Sequence, residues 1–372
     1  MLVVGCGALG NEVLKNLALF GVEHFTVVDF DHIETSNLSR SILFTLDDAR
    51  ARRRKVDAIA DSLKRINPRI EVECIEGDIA HALGLGRLRE MDVAVSCVDN
   101  RFARYCLNRM CMRVDVPMVD GGIDGLEGTA RVFRRGHNCY ACNLPQERIQ
   151  ELTQRRSCSS VIHQNETHGR AATTPIIASI IGAVEAQEAI KLIHREELEQ
   201  GLFTSLLGKM LYWDGQHLTS RIVEFAAYDD DCPSHEDWTP TDIIQLDTQA
   251  ETLEATFKTL RTVLAVGEGE ELGISLRDYS FVDYMEDRLS GDTHRVMRPG
   301  FLVEDFIDTD ETLRTLPLNR FLLHEYPLLR ESTFPYSELT LSALGIPRRD
   351  ILHVQTLDHE SNILKDHFVE TI

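Results

Sequence analysis

An α/β fold built on a doubly wound, mostly parallel sheet, with a smaller acidic α+β domain after it, is what three observations in this 372-residue sequence predict. The first is its opening. Residues 2–4 are an apolar run that ends in Gly5-Cys6-Gly7-Ala8-Leu9-Gly10, a helical pattern covers 11–20, and a second apolar run over 25–28 closes with Asp29. Strand, glycine loop, helix, strand and acid in that order begin a doubly wound sheet. The second is continued alternation of helical and strand patterns as far as residue 120, which reads as parallel βαβ units. The third is a shift in charge: residues 1–225 carry a net −3 and residues 226–372 a net −18, together the −21 of the whole chain.

After Asp29 the pattern predicts a helix over 49–66, stopped by Asn67-Pro68, and strands over 70–75 and 93–97. A helix over 101–112 then leads to a strand over 117–120. From about residue 122 the alternation gives way to an antiparallel hairpin, with 128–133 as its clearest strand. Residues 138–170 are long and polar, and a stretch of that length without regular structure is usually functional. It ends at Thr173-Thr174-Pro175, where a threonine N-cap with proline in the first turn starts an apolar helix running to about 194. Strands over 210–213 and 222–225 follow, and the Asp-, Pro- and Ser-rich stretch 228–240 is the expected boundary. Two domains result, 1–238 with a crossover loop over about 143–172, and 239–372.

Composition sets limits on function. With 43% hydrophobic and 27% charged residues there is material for a sizeable core, and no segment is repetitive or of low complexity. The longest apolar stretch, 174–186, is too short to span a bilayer, and the N-terminus lacks a basic segment followed by a cleavable apolar run. No membrane role and a cytoplasmic location are therefore expected. Nine cysteines, an odd number scattered through strands and helices, point to a reducing compartment with thiols available for metal or catalysis. The acidic field excludes nucleic acid as a partner and favours a basic protein surface.

Glycines at 5, 7 and 10 allow a tight turn and leave helix N-terminal amides facing an anion. Asp29 at the end of the second strand suits ribose hydroxyls, whether of NAD or of ATP. The next stretch, Asp29-Phe30-Asp31-His32-Ile33-Glu34-Thr35-Ser36-Asn37-Leu38-Ser39-Arg40, resembles the ThiF/MoeB-type and ubiquitin-activating enzyme family, which has an acid at the strand end and a Ser-Asn-Leu-x-Arg segment. The resemblance implies ATP as ligand, held by Gly5, Gly7, Ala8, Gly10 and Asp29, with Asn37 and Arg40 on the triphosphate. Lys55 corresponds to the family lysine that reaches the phosphates, although its spacing from Arg40 leaves Arg53 or Arg54 as a substitute. Asp99, in Ser96-Cys97-Val98-Asp99-Asn100, corresponds to the magnesium aspartate, with Asn100 beside it. A plain aspartate N-cap would explain Asp99 alone but not the whole set.

Further implications concern metal and thiol. Cys139-Tyr140-Ala141-Cys142 matches the family's first zinc pair, and Cys232-Pro233-Ser234-His235 lies where the second belongs, with His235 replacing a cysteine. Cys₃His is an acceptable structural zinc set. Cys158, in Arg155-Arg156-Ser157-Cys158-Ser159-Ser160, lies where thioester-forming members carry their cysteine, and the adjacent arginines favour the thiolate. An incidental loop cysteine, or one used for persulfide chemistry, is the alternative. His163 and His168 share that loop. Cys6, Cys97, Cys106 and Cys111 fall in apolar segments as small core residues. Residues 339–354 look like the end of a ubiquitin-fold domain of the kind that recruits a conjugating enzyme; an acidic accessory domain of another fold is the alternative.

The implied chemistry is adenylation of the C-terminal carboxylate of a ubiquitin-like or sulfur-carrier protein ending in glycine, with ATP, Mg²⁺ and Zn²⁺. Thioester formation on Cys158 and transfer to a conjugating enzyme with a basic surface would follow, in a homodimer or pseudo-symmetric dimer. Competing readings are a sulfur-carrier adenylyltransferase without conjugation, a non-catalytic scaffold half, disfavoured by Asn37, Arg40, Lys55 and Asp99, and a nicotinamide dehydrogenase, disfavoured because neither the Asn-Arg segment nor the paired cysteines serve hydride transfer. Family members carry a helix before the first strand, often with an arginine that completes the neighbouring subunit's site. Here the chain opens on Met1-Leu2-Val3, so that arginine is expected upstream or from elsewhere. A compact chain without a large inserted cysteine domain fits a bacterial member.

Overall fold

The opening apolar runs pair as β1 (Leu2–Val4) and β2 (His24–Val28), joined by helix α1 (Ala8–Phe20). β3 (Glu71–Ile75), β4 (Ala94–Ser96) and β5 (Met118–Asp124) join them in parallel, and the hairpin partner β6 (Glu127–Phe133), then β7 (Lys209–Asp214) and β8 (Thr219–Glu224), extend the sheet antiparallel. The eight strands run in the order 3-2-1-4-5-6-7-8. Strand order therefore reverses between β1 and β4, which pair in parallel with Leu2 opposite Ala94 and Val4 opposite Ser96. In such sheets a crevice opens at the carboxyl ends of the strands on either side of the reversal.

This computed structural model describes residues 1–154, 173–225, 227–235, 243–246, 252–276 and 278–371. The chain divides into one compact unit of Met1–Pro145 with Ala171–Thr239, and a second of Gln146–Arg170 with Pro240–Ile372.

In the first unit helices α2 (Lys55–Ile66), α3 (Arg101–Val114) and α4 (Pro175–Ile193) complete the layers with α1. Leu2, Val3, Val13, Leu14, Leu17, Val27, Val95, Val119 and Ile181 are all buried, as expected for strands covered on both faces. Thr174 caps α4 by accepting a hydrogen bond from the Ile177 amide, with Pro175 in the first turn. Cys6, Cys97, Cys106 and Cys111 are buried, the core positions expected of them.

Two sequence expectations are corrected. The helix predicted over 49–66 is interrupted: a short helix, Leu46–Arg50, stops at residues 51–54 before α2 begins at Lys55. The Arg53 carbonyl accepts from the Ile33 amide, His32 and Arg54 form an antiparallel bridge, and Arg52 adopts φ +47°, so tertiary pairing overrides helical periodicity there. The polar stretch 138–170 is also not wholly irregular, since a short 3₁₀ turn spans Ala141–Asn143 and a helix spans Gln146–Gln154.

In the second unit β9 (Ile243–Leu246) leads to helix α5 (Leu253–Val263), and the remaining strands make two sheets. β10 (Glu271–Ser275), β14 (Leu328–Arg330), β15 (Ile351–Leu357) and β16 (Ile363–Thr371) join β9 in the order 14-10-15-16-9. β16 pairs in parallel with β9, and the other pairings are antiparallel. The three-stranded sheet contains β11 (Phe281–Asp287) between β12 (Thr293–Pro299) and β13 (Phe321–Tyr326). Leu253, Phe257 and Leu260 of α5 pack with Leu272, Ile274 and Val354 in one core. The segment 339–354 supplies Leu344 and Ile346 to this core and then strand β15.

Candidate functional site

The glycine loop turns because each glycine answers a separate constraint. Gly5 has φ +94°, and a Cβ there would lie 2.5 Å from the Cys97 carbonyl oxygen. A Cβ on Gly10 would overlap the Gly5 carbonyl oxygen, whereas one on Gly7 would meet nothing within 4 Å. Gly7 thus faces open space and is the N-cap of α1, with no side chain capping the helix and no acid in its first turn. Free amides and the positive end of the helix point outward, an arrangement suited to an anion. Buried Asn11 braces the loop: its Nδ2 donates to the carbonyls of Cys6 (2.8 Å) and Gly7 (3.0 Å), and its Oδ1 accepts from the Leu43 amide (2.9 Å).

Asp29 lies directly beyond β2. Its carboxylate accepts from the amides of Cys6 (2.6 Å) and Asp31 (2.7 Å), which ties the second strand's end to the glycine loop. Burial raises its pKa, opposed by Lys55 and those amides. Lys55 is buried at the start of α2, with Nζ 2.5 Å from Asp31 and 4.0 Å from Asp29. Burial works to lower its pKa, but Asp29 and Asp31 outweigh it and hold the ammonium charged. Arg53 is engaged by Asp48 and Asp61, and Arg54 by Asp57 and Glu76. Of the three basic candidates, Lys55 is the one whose charge meets Asp29.

Asn37 and Arg40 lie on or just after the 3₁₀ turn Thr35–Ser39. Asn37 Oδ1 accepts from the Glu34 amide (2.9 Å), and Arg40 donates to the Ser36 carbonyl (2.9 Å). Asp99 follows β4 and is exposed. It is not a helix cap; Asn100 takes that position, its Oδ1 accepting from the Ala103 amide at 2.7 Å. The glycine loop, Asp29 and Asp99 thus follow the carboxyl ends of the neighbouring strands β1, β2 and β4.

Sequence reasoning missed the buried charges beneath this crevice. Arg104 on α3 donates to the carbonyls of Val98 and Gly121, both at 2.9 Å, and to the Asp120 carboxylate. Arg131 pairs with the other Asp120 oxygen at 2.9 Å. Glu185 of α4 is fully buried, and its carboxyl lies against the Gly121 backbone, filling the space a Gly121 side chain would need. Burial, then Asp120, push its pKa well up. A lone glutamate in the apolar run 175–186 was the signal available for it.

Cys139, Cys142, Cys232 and His235 converge, their ligand atoms within 4.8 Å of one another. Cys139 and Cys142 sulfurs are 3.7 Å apart, Cys139 and Cys232 sulfurs 3.8 Å, and Cys142 Sγ lies 3.5 Å from His235 Nε2. A tetrahedron with metal–sulfur bonds of about 2.3 Å has edges of about 3.8 Å, so the set fits Zn²⁺. His235 Nδ1 meets the Asp229 carbonyl at 2.8 Å and its ring stacks on Tyr228, which directs Nε2 at the sulfurs. Cys158, His163 and His168 lie outside the described residues.

Residues 1–234 match the ThiF family. The chain belongs to that family. It is 31% identical over 233 residues to a maize protein named adenylyltransferase and sulfurtransferase MOCS3-1, across 62% of this chain and 46% of the maize protein, so the match spans about half the relative's length. It is also 31% identical over 224 residues to the molybdopterin-synthase adenylyltransferase of Haemophilus influenzae, across 60% of this chain and 84% of that protein. Among solved structures, E. coli MccB with succinimide superposes with a TM-score of 0.50 at 23% identity, across 63% of this chain and 65% of MccB, and shares the fold. Among the described residues no helix is long and apolar enough to cross a membrane.

Proposed function

We propose that this ThiF-family chain is an ATP-dependent adenylyltransferase that activates the C-terminal carboxylate of a ubiquitin-like or sulfur-carrier protein. The observation that carries the reading is the convergence of an uncapped glycine-loop helix, a ribose-type acid and Asp99 at the strand-order reversal, with Lys55 held at Asp29. Gly5, Gly7, Ala8 and Gly10 bind the phosphates by backbone amides, and Asp29 binds ribose. Arg40 and Lys55 neutralise charge on the triphosphate, and Asn37 donates a hydrogen bond to it. Asp99, with Asn100 beside it, would hold Mg²⁺, whose charge would offset that of the phosphates. A carboxylate oxygen of the carrier attacks the α-phosphorus, the bond to the β-phosphate breaks, and pyrophosphate leaves. The nucleophile is already ionised at neutral pH, so the protein positions and neutralises rather than removing a proton.

Zn²⁺ in the Cys₃His site would pin residues 139–142 to 232–235. Beyond the adenylate, Cys158 is the acceptor in this reading: its thiolate attacks the acyl carbon, AMP leaves, and a thioester remains. The net −18 on residues 226–372 supports recruitment of a conjugating enzyme with a basic surface. The names of the maize and Haemophilus relatives support the other branch, sulfur-carrier adenylation without conjugation.

The test is ATP–pyrophosphate exchange with carrier proteins ending in glycine, followed by gels with and without reductant. Asp99→Asn and Lys55→Ala should each lower exchange by about 100-fold, and Cys158→Ala should abolish a reductant-sensitive adduct while leaving exchange intact. Exchange without any adduct selects the sulfur-carrier branch, and no exchange with any carrier overturns the assignment.

A further inference from the structure

Tyr140 stands between the two metal-type cysteines Cys139 and Cys142, yet its side chain is turned away from solvent and buried. Its ring meets two guanidinium groups, with Arg104 Cζ 5.9 Å and Arg131 Cζ 5.6 Å from the centroid, and its amide donates to Asn108 Oδ1 at 3.0 Å. Asn108 and Arg104 are one helical turn apart on α3, so ring and amide both anchor the metal loop to the same helix. From there Arg104 reaches the Val98 carbonyl at 2.9 Å, one residue before Asp99, and the Gly121 carbonyl on β5 at the same distance. Asp120, fully buried, accepts from this guanidinium through one carboxylate oxygen and pairs with Arg131 through the other.

A planar donor held by two carbonyls, a carboxylate and an aromatic face has little freedom, and no ammonium could reproduce that set of contacts. The carbonyl it holds belongs to the turn that presents Asp99. We propose that Arg104 and Tyr140 are positioning residues through which the metal centre fixes the Asp99 turn, so that occupancy of the Cys₃His site is read out as affinity for magnesium-bound nucleotide. The inference rests on the assignment of Asp99 to the magnesium side of the nucleotide. It adds a role for the metal centre beyond pinning two loops together.

The test measures binding of ATP with and without Mg²⁺ by titration calorimetry on the full chain, alongside zinc content and thermal melting. Arg104→Lys and Tyr140→Leu should retain zinc and lose about tenfold in affinity for Mg-ATP, with binding of metal-free ATP unchanged, whereas Tyr140→Phe, which keeps the ring but removes the hydroxyl that bonds Arg104, should lose less than Tyr140→Leu. A general loss of structure would lower both affinities together, so the magnesium dependence separates positioning from folding. Folded, zinc-loaded Arg104→Lys and Tyr140→Leu proteins that bind Mg-ATP like wild type overturn the proposal. Should either variant not fold, zinc is stripped from wild type with a chelator and then restored: loss and recovery of the Mg²⁺-dependent affinity supports the coupling, and an unchanged affinity overturns it. If Asp99→Asn binds Mg-ATP as wild type does, the assignment of Asp99 falls and takes the coupling with it; if Asp99→Asn loses affinity and the positioning variants do not, only the coupling fails.

Discussion

Charged side chains in the two compact units meet very different surroundings. In the first, Lys55, Arg104, Asp120 and Glu185 are drawn below the surface, where they brace backbone carbonyls or pack against one another. In the second, much of the acid stays outside: Asp305, Asp308, Asp310 and Glu311 are all exposed around one short helix. One ion pair there, buried Asp287 with half-buried Arg320, is bidentate and further satisfied by the Leu289 amide. The first unit thus combines desolvated charge with a helix N-terminus left uncapped at Gly7, which is where a ligand belongs. The second offers a long-range field around a satisfied interior, which suits steering of a partner more than chemistry.

The sharpest break in that comparison is steric. Gly10→Ala places a methyl on the Gly5 carbonyl oxygen inside the first unit and should cost about 3 kcal/mol in urea denaturation. Gly7→Ala meets nothing within 4 Å, so it should leave the fold intact and instead weaken nucleotide binding. Equal destabilisation by both would mean that the loop is merely a packed turn.

Glu185 gives a smaller, pH-dependent effect. Its folded pKa is raised, so the folded state binds the proton more tightly than the unfolded chain does. Stability is then greatest below the unfolded pKa of about 4.3 and declines as pH climbs towards the folded value. Glu185→Gln removes this decline. The variant should match wild type near pH 4 and melt higher by about 3–5 °C at pH 8 in the transition of the first unit. A gap independent of pH would show that the effect is one of shape rather than of ionisation.

These same residues show how far the sequence could be read. Asp29, the glycine loop and the two metal-type pairs are legible because their spacing is local: each motif sits within a few residues, and the parallel sheet brings the strand ends together without further information. Arg104, Asp120 and Glu185 were not legible because their partners come from α3, β5 and α4, more than fifteen residues apart. Lys55 shows an intermediate case. The periodic pattern over 49–66 hid the break at 51–54, and it is the pairing of 32–33 with 53–54 that brings the lysine to Asp29. In the second unit residues 265–335 resemble no named motif, and β11 is paired on one side with β13, whose residues lie more than thirty positions away.

The Asp287–Arg320 pair supplies the smallest effect and tests the second unit's side of the comparison. Arg320, working against desolvation and helped by the amides of Leu289 and Ser290, holds the Asp287 carboxyl well below the usual carboxylate range. A depressed folded pKa contributes stability that is present above the unfolded value, about 3.9, and is lost as pH falls through the folded one. Asp287→Asn should therefore lower the melting temperature of the second unit slightly at pH 7, with the difference from wild type narrowing below pH 4. Because β11 and β13 are joined here, with Asp287 opposite Phe321 in the register, hydrogen exchange of those two strands should report the loss before global melting does. An Asn variant that matches wild type at pH 7 would mean that the pair does not hold the sheet and that the acidic unit is stabilised by its apolar core alone.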